Sequence, residues 1–80
     1  MSKEEVYAVM CASDQRRVLL ITNEGKQYIG FVDVFESRLD NEDDESDCAG
    51  QGSICFYPDD GEPMLLYEDD IKHIEIGASG

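Results

Sequence analysis

The apolar residues of this chain fall into short runs bounded by turn residues, not into one long stripe. Val6–Cys11, Val18–Ile21, Tyr28–Phe35, Ile54–Tyr57 and Met64–Tyr67 are the runs, and most have strand length. The richest is Gly25–Phe35, Gly-Lys-Gln-Tyr-Ile-Gly-Phe-Val-Asp-Val-Phe, dense in β-branched and aromatic residues after a turn at Glu24-Gly25. Ile29, Phe31 and Phe35 share one parity with Gln27 and Asp33, whereas Tyr28, Val32 and Val34 share the other. Both faces therefore carry apolar groups, which predicts a strand covered on both sides. Ten extended residues reach roughly 33 Å, too long to lie flat in so short a chain. The strand must bend, and Gly30, without a Cβ, sits where a bend, a bulge or a close backbone approach is easiest. A bent central strand shared by two halves of one sheet predicts a small closed barrel.

The flanking segments supply the other elements. Ser2-Lys3-Glu4-Glu5 fits a capping box and predicts a helix over about residues 3–12, with Val6, Val9, Met10 and Ser13 on the face that lies across the open end of a sheet. The unbroken run Val6–Cys11 also fits a strand. Asp14–Arg17 is a polar connector into a strand over about 16–22, which turns at Asn23-Glu24-Gly25 into the long strand, 26–36. Further strands are expected at 53–57 and 62–67, joined by the turn Pro58-Asp59-Asp60-Gly61. After Glu68-Asp69-Asp70, the spacing of Ile71, Ile74 and Ile76 changes from three to two, predicting one tight helical turn and a last strand over about 72–76. Residues 77–80 read as a flexible tail. The fold class is mostly β: an N-terminal α-helix followed by five strands, in a single domain over residues 1–80.

Charge changes this picture in one respect. Nineteen acids against six bases give −13, which favours solubility and repels polyanions. Six of the acids lie between Asp40 and Asp47, inside a loop, 37–52, with few apolar residues, expected to be solvated and mobile. Calcium does not fit it, because the register begun at Asp40 places Glu45 where an EF-hand needs glycine and Gln51 at the twelfth position. Arg16 and Arg17, in so acidic a chain, are expected to pair with carboxylates rather than bind phosphate. Cys11, Cys48 and Cys55 show neither a disulfide framework nor zinc spacing, and Cys55 reads as a small buried hydrophobe. No metal or cofactor is expected. No apolar run is long enough to span a bilayer and no leader pattern opens the sequence, so the cytoplasm is the default compartment.

Two motifs, read in order, resemble a known family. Gly25-Lys26-Gln27-Tyr28-Ile29-Gly30, with Phe35-Glu36 and Leu39-Asp40 beyond it, is similar to the first motif of Sm and LSm proteins; Leu66-Tyr67-Glu68-Asp69-Asp70-Ile71-Lys72-His73-Ile74 is similar to the second. The resemblance implies the bent five-stranded Sm-like, or SH3-like, small barrel. It also implies a ligand site at Glu36, Asp40, Tyr67 and Glu68, the positions matching the family's RNA-holding residues, with Asn41 one place beyond the alignment. The family's aspartate, asparagine and arginine-glycine pair are absent at these positions. With the arginine gone and carboxylates around its place, a nucleic-acid strand would be repelled. Sm-like barrels also join edge to edge into rings, and the resemblance places such edges at Met64, Leu65 and Leu66 and at Ile74 and Ile76. The competing expectation is a monomer whose edges are shielded by Glu68, Asp69, Asp70 and Glu75.

Catalysis has little support. His73, the one histidine, reads as a partly exposed structural residue in a strand, and no nucleophile lies in an elbow sequence. The expected function is therefore a non-enzymatic, Sm-like, homo-oligomeric binding or scaffold module whose acidic surface engages a protein. The alternative is an LSm-like RNA binder reading bases through Tyr67, Asn41 and the acidic loop.

Overall fold

Ser2 starts the first regular element by satisfying two backbone donors at once. In the computed structural model, which describes residues 1–42 and 50–77, its Oγ accepts from the Glu5 amide at 3.1 Å, and the Glu5 carboxylate accepts from the Ser2 amide at 3.1 Å. This capping box opens α1, Lys3–Ala12. The Ser2 amide, above all, holds the Glu5 carboxyl below its ordinary range. Val6 and Met10 are buried on one face of the helix, and Ser13, just past its end, is buried with its hydroxyl donating to the Met10 carbonyl. That face packs on the last strand and on the turn before it.

Five strands follow: β1, Arg17–Thr22; β2, Gln27–Glu36; β3, Ser53–Pro58; β4, Met64–Tyr67; and β5, Ile71–Ile76. They form one antiparallel sheet in the order β4-β3-β2-β1-β5. The first half of β2 pairs with β1, from Gln27 opposite Ile21 to Phe31 opposite Arg17. Its second half pairs with β3, from Gly30 opposite Pro58 to Glu36 opposite Ser53. The change of partner falls at Gly30, where a Cβ would run into the Tyr57 carbonyl. Gly30 is thus required by close backbone approach.

Four expectations need correction. The sheet does not close into a barrel: β4 and β5 stand at its two ends and are not paired with each other. Between them lies η1, the 3-10 turn Glu68–Asp70, whose backbone groups go elsewhere. The Glu68 amide donates to the Gly52 carbonyl, and the Asp70 carbonyl accepts from the Asn23 amide. The tight turn therefore precedes Ile71. The spacing of Ile71 and Ile74, both buried, comes from a register shift in β5 opposite Ile21 and Thr22.

Nor is β2 covered on both sides by its own chain. A bulge between Val32 and Val34 switches its parity, so that Tyr28, Gly30 and Val32 face inward before it and Phe35 packs on the core after it. Ile29 and Val34 are left exposed, at 51% and 44%. The bulge is held from the connector: the Gln15 side chain donates to the Asp33 carbonyl, and the Phe35 amide donates to Asp14 Oδ1 at 3.0 Å. The core is built from Val6 and Met10 of α1 with Val18, Leu20, Val32, Ile54, Phe56, Leu66, Ile71 and Ile74 of the sheet. Cys55 is not in it; partly buried, it lies on the outer face between Val34 and Leu65. No helix among the described residues is long and apolar enough to cross a membrane.

Candidate functional site

The loop after β2 and the turn η1 meet where the resemblance places its ligand residues. Gly52 and Glu68 exchange contacts twice, through the backbone bond above and through the Gly52 amide, which donates to the Glu68 carboxylate. Gln51 and Asp69 do the same: Gln51 Nε2 donates to Asp69 Oδ2 at 2.9 Å, and the Asp69 amide donates to Gln51 Oε1 at 3.1 Å. The C-terminal end of the expected mobile loop is therefore fastened. Asp43–Ala49, with Asp44, Glu45 and Cys48, lie outside the described residues, as do residues 78–80 of the tail.

Asn41 is buried, its Nδ2 donating to the Gln51 carbonyl at 2.7 Å and to Ser53 Oγ at 3.1 Å. Both amide hydrogens are used inside the protein. Asp40 is exposed and turned back, accepting from the Ser37 amide at 3.0 Å. Glu36 is exposed at the end of β2, and Tyr67, half-buried opposite Ser53, donates its amide to Asp70 Oδ2 at 3.0 Å. Glu68 is buried, with a side chain fully closed to solvent. The structure brings Asn41, Tyr67 and Glu68 around one junction, but it uses Asn41 and Glu68 to hold the fold.

Arg38 is the residue that the sequence reading passed over. It is the one base between Lys26 and Lys72, and a lone cation in an acidic stretch was the available signal. Its Nη2 lies 2.6 Å from Glu68 Oε1 and its Nε 3.0 Å from Glu68 Oε2; toward solvent, Nη2 meets Glu4 Oε1 at 2.9 Å. The guanidinium lies 4.0 Å from the centre of the Tyr7 ring, a cation–π contact, and the Tyr7 hydroxyl accepts from the Arg38 amide at 3.3 Å. Gly52 backs the same ring; a Cβ there would fall 2.5 Å from Tyr7 Cε1. The Glu68 and Glu4 hydrogen bonds push the guanidinium pKa further up. Burial pushes the Glu68 carboxyl up, but the Arg38 bonds, the Gly52 amide and the charges of Arg38 and Lys3 together hold it below its ordinary value. A cation does stand beside Glu68, one of the positions marked by the resemblance, but two carboxylates and an aromatic face occupy it.

Other bases are similarly engaged. Arg17 grips Asp59 through two bonds of 3.1 and 2.7 Å, and Lys3 pairs with Asp69 at 2.9 Å. Each cation, through its hydrogen bond first, keeps its partner's carboxyl below the usual range. His73 Nε2 lies 2.8 Å from Glu75 Oε1 on β5. Among the described residues no cluster of three or more histidine, cysteine or carboxylate side chains is arranged to hold a metal ion.

The expected oligomer edge divides in two. Leu66 and Ile74 point into the core, Met64 and Ile76 pack against it, and Leu65 is exposed at 60%. Their part in an edge would be played mainly by backbone groups and by Leu65. An open groove of about 450 Å³ runs along β4, lined by Met64, Leu65 and Leu66 on one side and by Thr22, Lys26 and Tyr28 on the other. Compared with models of known protein families, with curated proteins and with solved structures, the chain matches none.

Proposed function

We propose that this chain is a non-enzymatic, Sm-like binding or scaffold module that joins edge to edge with copies of itself and engages a basic protein through its acidic surface. The observation carrying this reading is the open sheet, with β4 at one end and β5 at the other, neither paired with the other. A strand at the end of a sheet presents a row of backbone donors and acceptors on its open edge to any strand that can lie beside it. β4 has no charged residue, and β5 carries Lys72 and His73 beside Glu75, so pairing the two across copies opposes no block of like charges.

Protein is favoured over RNA for two reasons. Asn41 and Glu68 are consumed by internal contacts, and Arg38 is closed between Glu4 and Glu68. A net charge of −13 adds repulsion to every phosphate. Light scattering over a concentration series tests the assembly. A mass several times the single-chain 9.0 kDa supports it, and 9.0 kDa throughout contradicts it.

A further inference from the structure

We infer that the outer face of the sheet, opposite the core, is a docking surface for an amphipathic helix of another protein, one with an apolar face flanked by lysine or arginine. This deepens the reading of the chain as a protein-binding module by naming the surface and the chemistry of its partner.

Cross-strand pairing puts opposed residues on one face of a sheet. Leu65, Cys55 and Val34 are paired in one row across β4, β3 and β2. Tyr57 and Phe31 form the next row, and Ile29 with Leu19 a third. Leu65, Val34, Tyr57 and Ile29 are all at least 42% exposed. Scattered apolar residues on a surface need no explanation, but contiguous rows mark an interaction site. The bulge at Asp33 creates this patch: by switching the parity of β2 it turns Val34 outward beside Cys55, in the face already holding Ile29 and Phe31. The strand that is apolar on both sides is covered on one.

The border of the patch selects its occupant. Glu75 stands opposite Leu19, Asp33 interrupts β2, and Glu36 ends it. Arg17, opposite Phe31, has its charge taken up by Asp59. An apolar centre with an acidic border matches an apolar stripe with basic flanks. A second copy fits poorly, because face-to-face contact would oppose two such acidic borders on chains of −13 each. A helix is the suitable shape, since the interior strands have spent their backbone bonds within the sheet and offer side chains alone, against which helices pack as a second layer.

The test is a titration of the whole chain, labelled with nitrogen-15, with a synthetic helix of about 18 residues, five turns, bearing a leucine face and lysine flanks. Two control peptides exchange lysine for glutamate or leucine for serine. The expected result is amide shifts centred on Ile29, Val34, Cys55 and Tyr57, with each control and the exposed-site variant Val34→Lys binding at least about tenfold more weakly. Unchanged core amides show that the variant is folded. Equal binding of either control, shifts centred elsewhere, or full binding by Val34→Lys would overturn the inference. So would shifts at Ile29 and Val34, away from the edge strands, that appear with protein concentration alone, since a second copy would then cover the face. Assembled protein that leaves the peptide unbound removes this inference alone; peptide bound by a chain of single-copy mass removes the edge-to-edge reading alone.

Discussion

Arg38 closes over Glu68, with Nη2 at 2.6 Å and Nε at 3.0 Å from the two oxygens of a carboxylate closed to solvent. The same guanidinium lies on Tyr7 of α1 and meets Glu4, so one side chain ties helix, loop and turn together. Removing it leaves a buried carboxylate whose remaining hydrogen-bond donor among the described residues is the Gly52 amide. Arg38→Ala should cost on the order of 3 kcal/mol, the low end for a broken buried pair because the arginine is one-third open to solvent. Arg38→Lys should recover only part of this, lacking the planar fork. Chemical denaturation measures both, and a loss within about 0.5 kcal/mol for Arg38→Ala would show that the contact is incidental.

Acid should unfold the protein through the same carboxylate. Since the folded Glu68 pKa lies below its unfolded value, its contribution is complete above the ordinary glutamate range, about pH 4.3, and is lost as pH falls through the lower folded value. Glu68→Gln should be less stable at neutral pH and have a shallower decline below pH ~4.3. Denaturation midpoints across pH 3 to 7, roughly that window, check this; an unchanged acid slope would assign the decline to other carboxylates.

Gly30 and Gly25 should respond to alanine in different ways. At Gly30 a Cβ meets backbone, the Tyr57 carbonyl, which cannot swing aside, so Gly30→Ala should cost about 3 kcal/mol. At Gly25 nothing lies near, but φ is +86°, so the cost is conformational, about 1 kcal/mol. Thermal melts of the two variants give the comparison, and equal losses would mean that β2 tolerates a Cβ at its change of partner.

Short uridine- or adenine-rich RNA should show no binding even at low salt, where phosphate contacts are strongest. Fluorescence anisotropy provides the check. Saturable binding would mean that Asn41 is released from its bonds to Gln51 and Ser53.

Much of the fold was legible because it depends on local chemistry. The Ser2–Glu5 box, the Glu24-Gly25 turn and the short apolar runs each specify their own element. What was not legible depends on contacts distant in sequence. Alternation alone could not place the bulge at Asp33, because Gln15 and Asp14, some twenty residues away, hold it. The same holds for Ile71 and Ile74, whose spacing imitates a helical turn until the shift beside Thr22 is seen. At the candidate site the motif positions do come together, but the loop's charge concealed the pairing of Arg38 with Glu68, 30 residues apart.

Amide hydrogen exchange at the two sheet edges tests the proposed assembly most directly. At high protein concentration the outward-facing amides of Met64–Tyr67 and Ile71–Ile76 should be protected together, and the protection should fade on dilution as the mass falls. Free exchange of both edges at every concentration, with the core still protected, would contradict it.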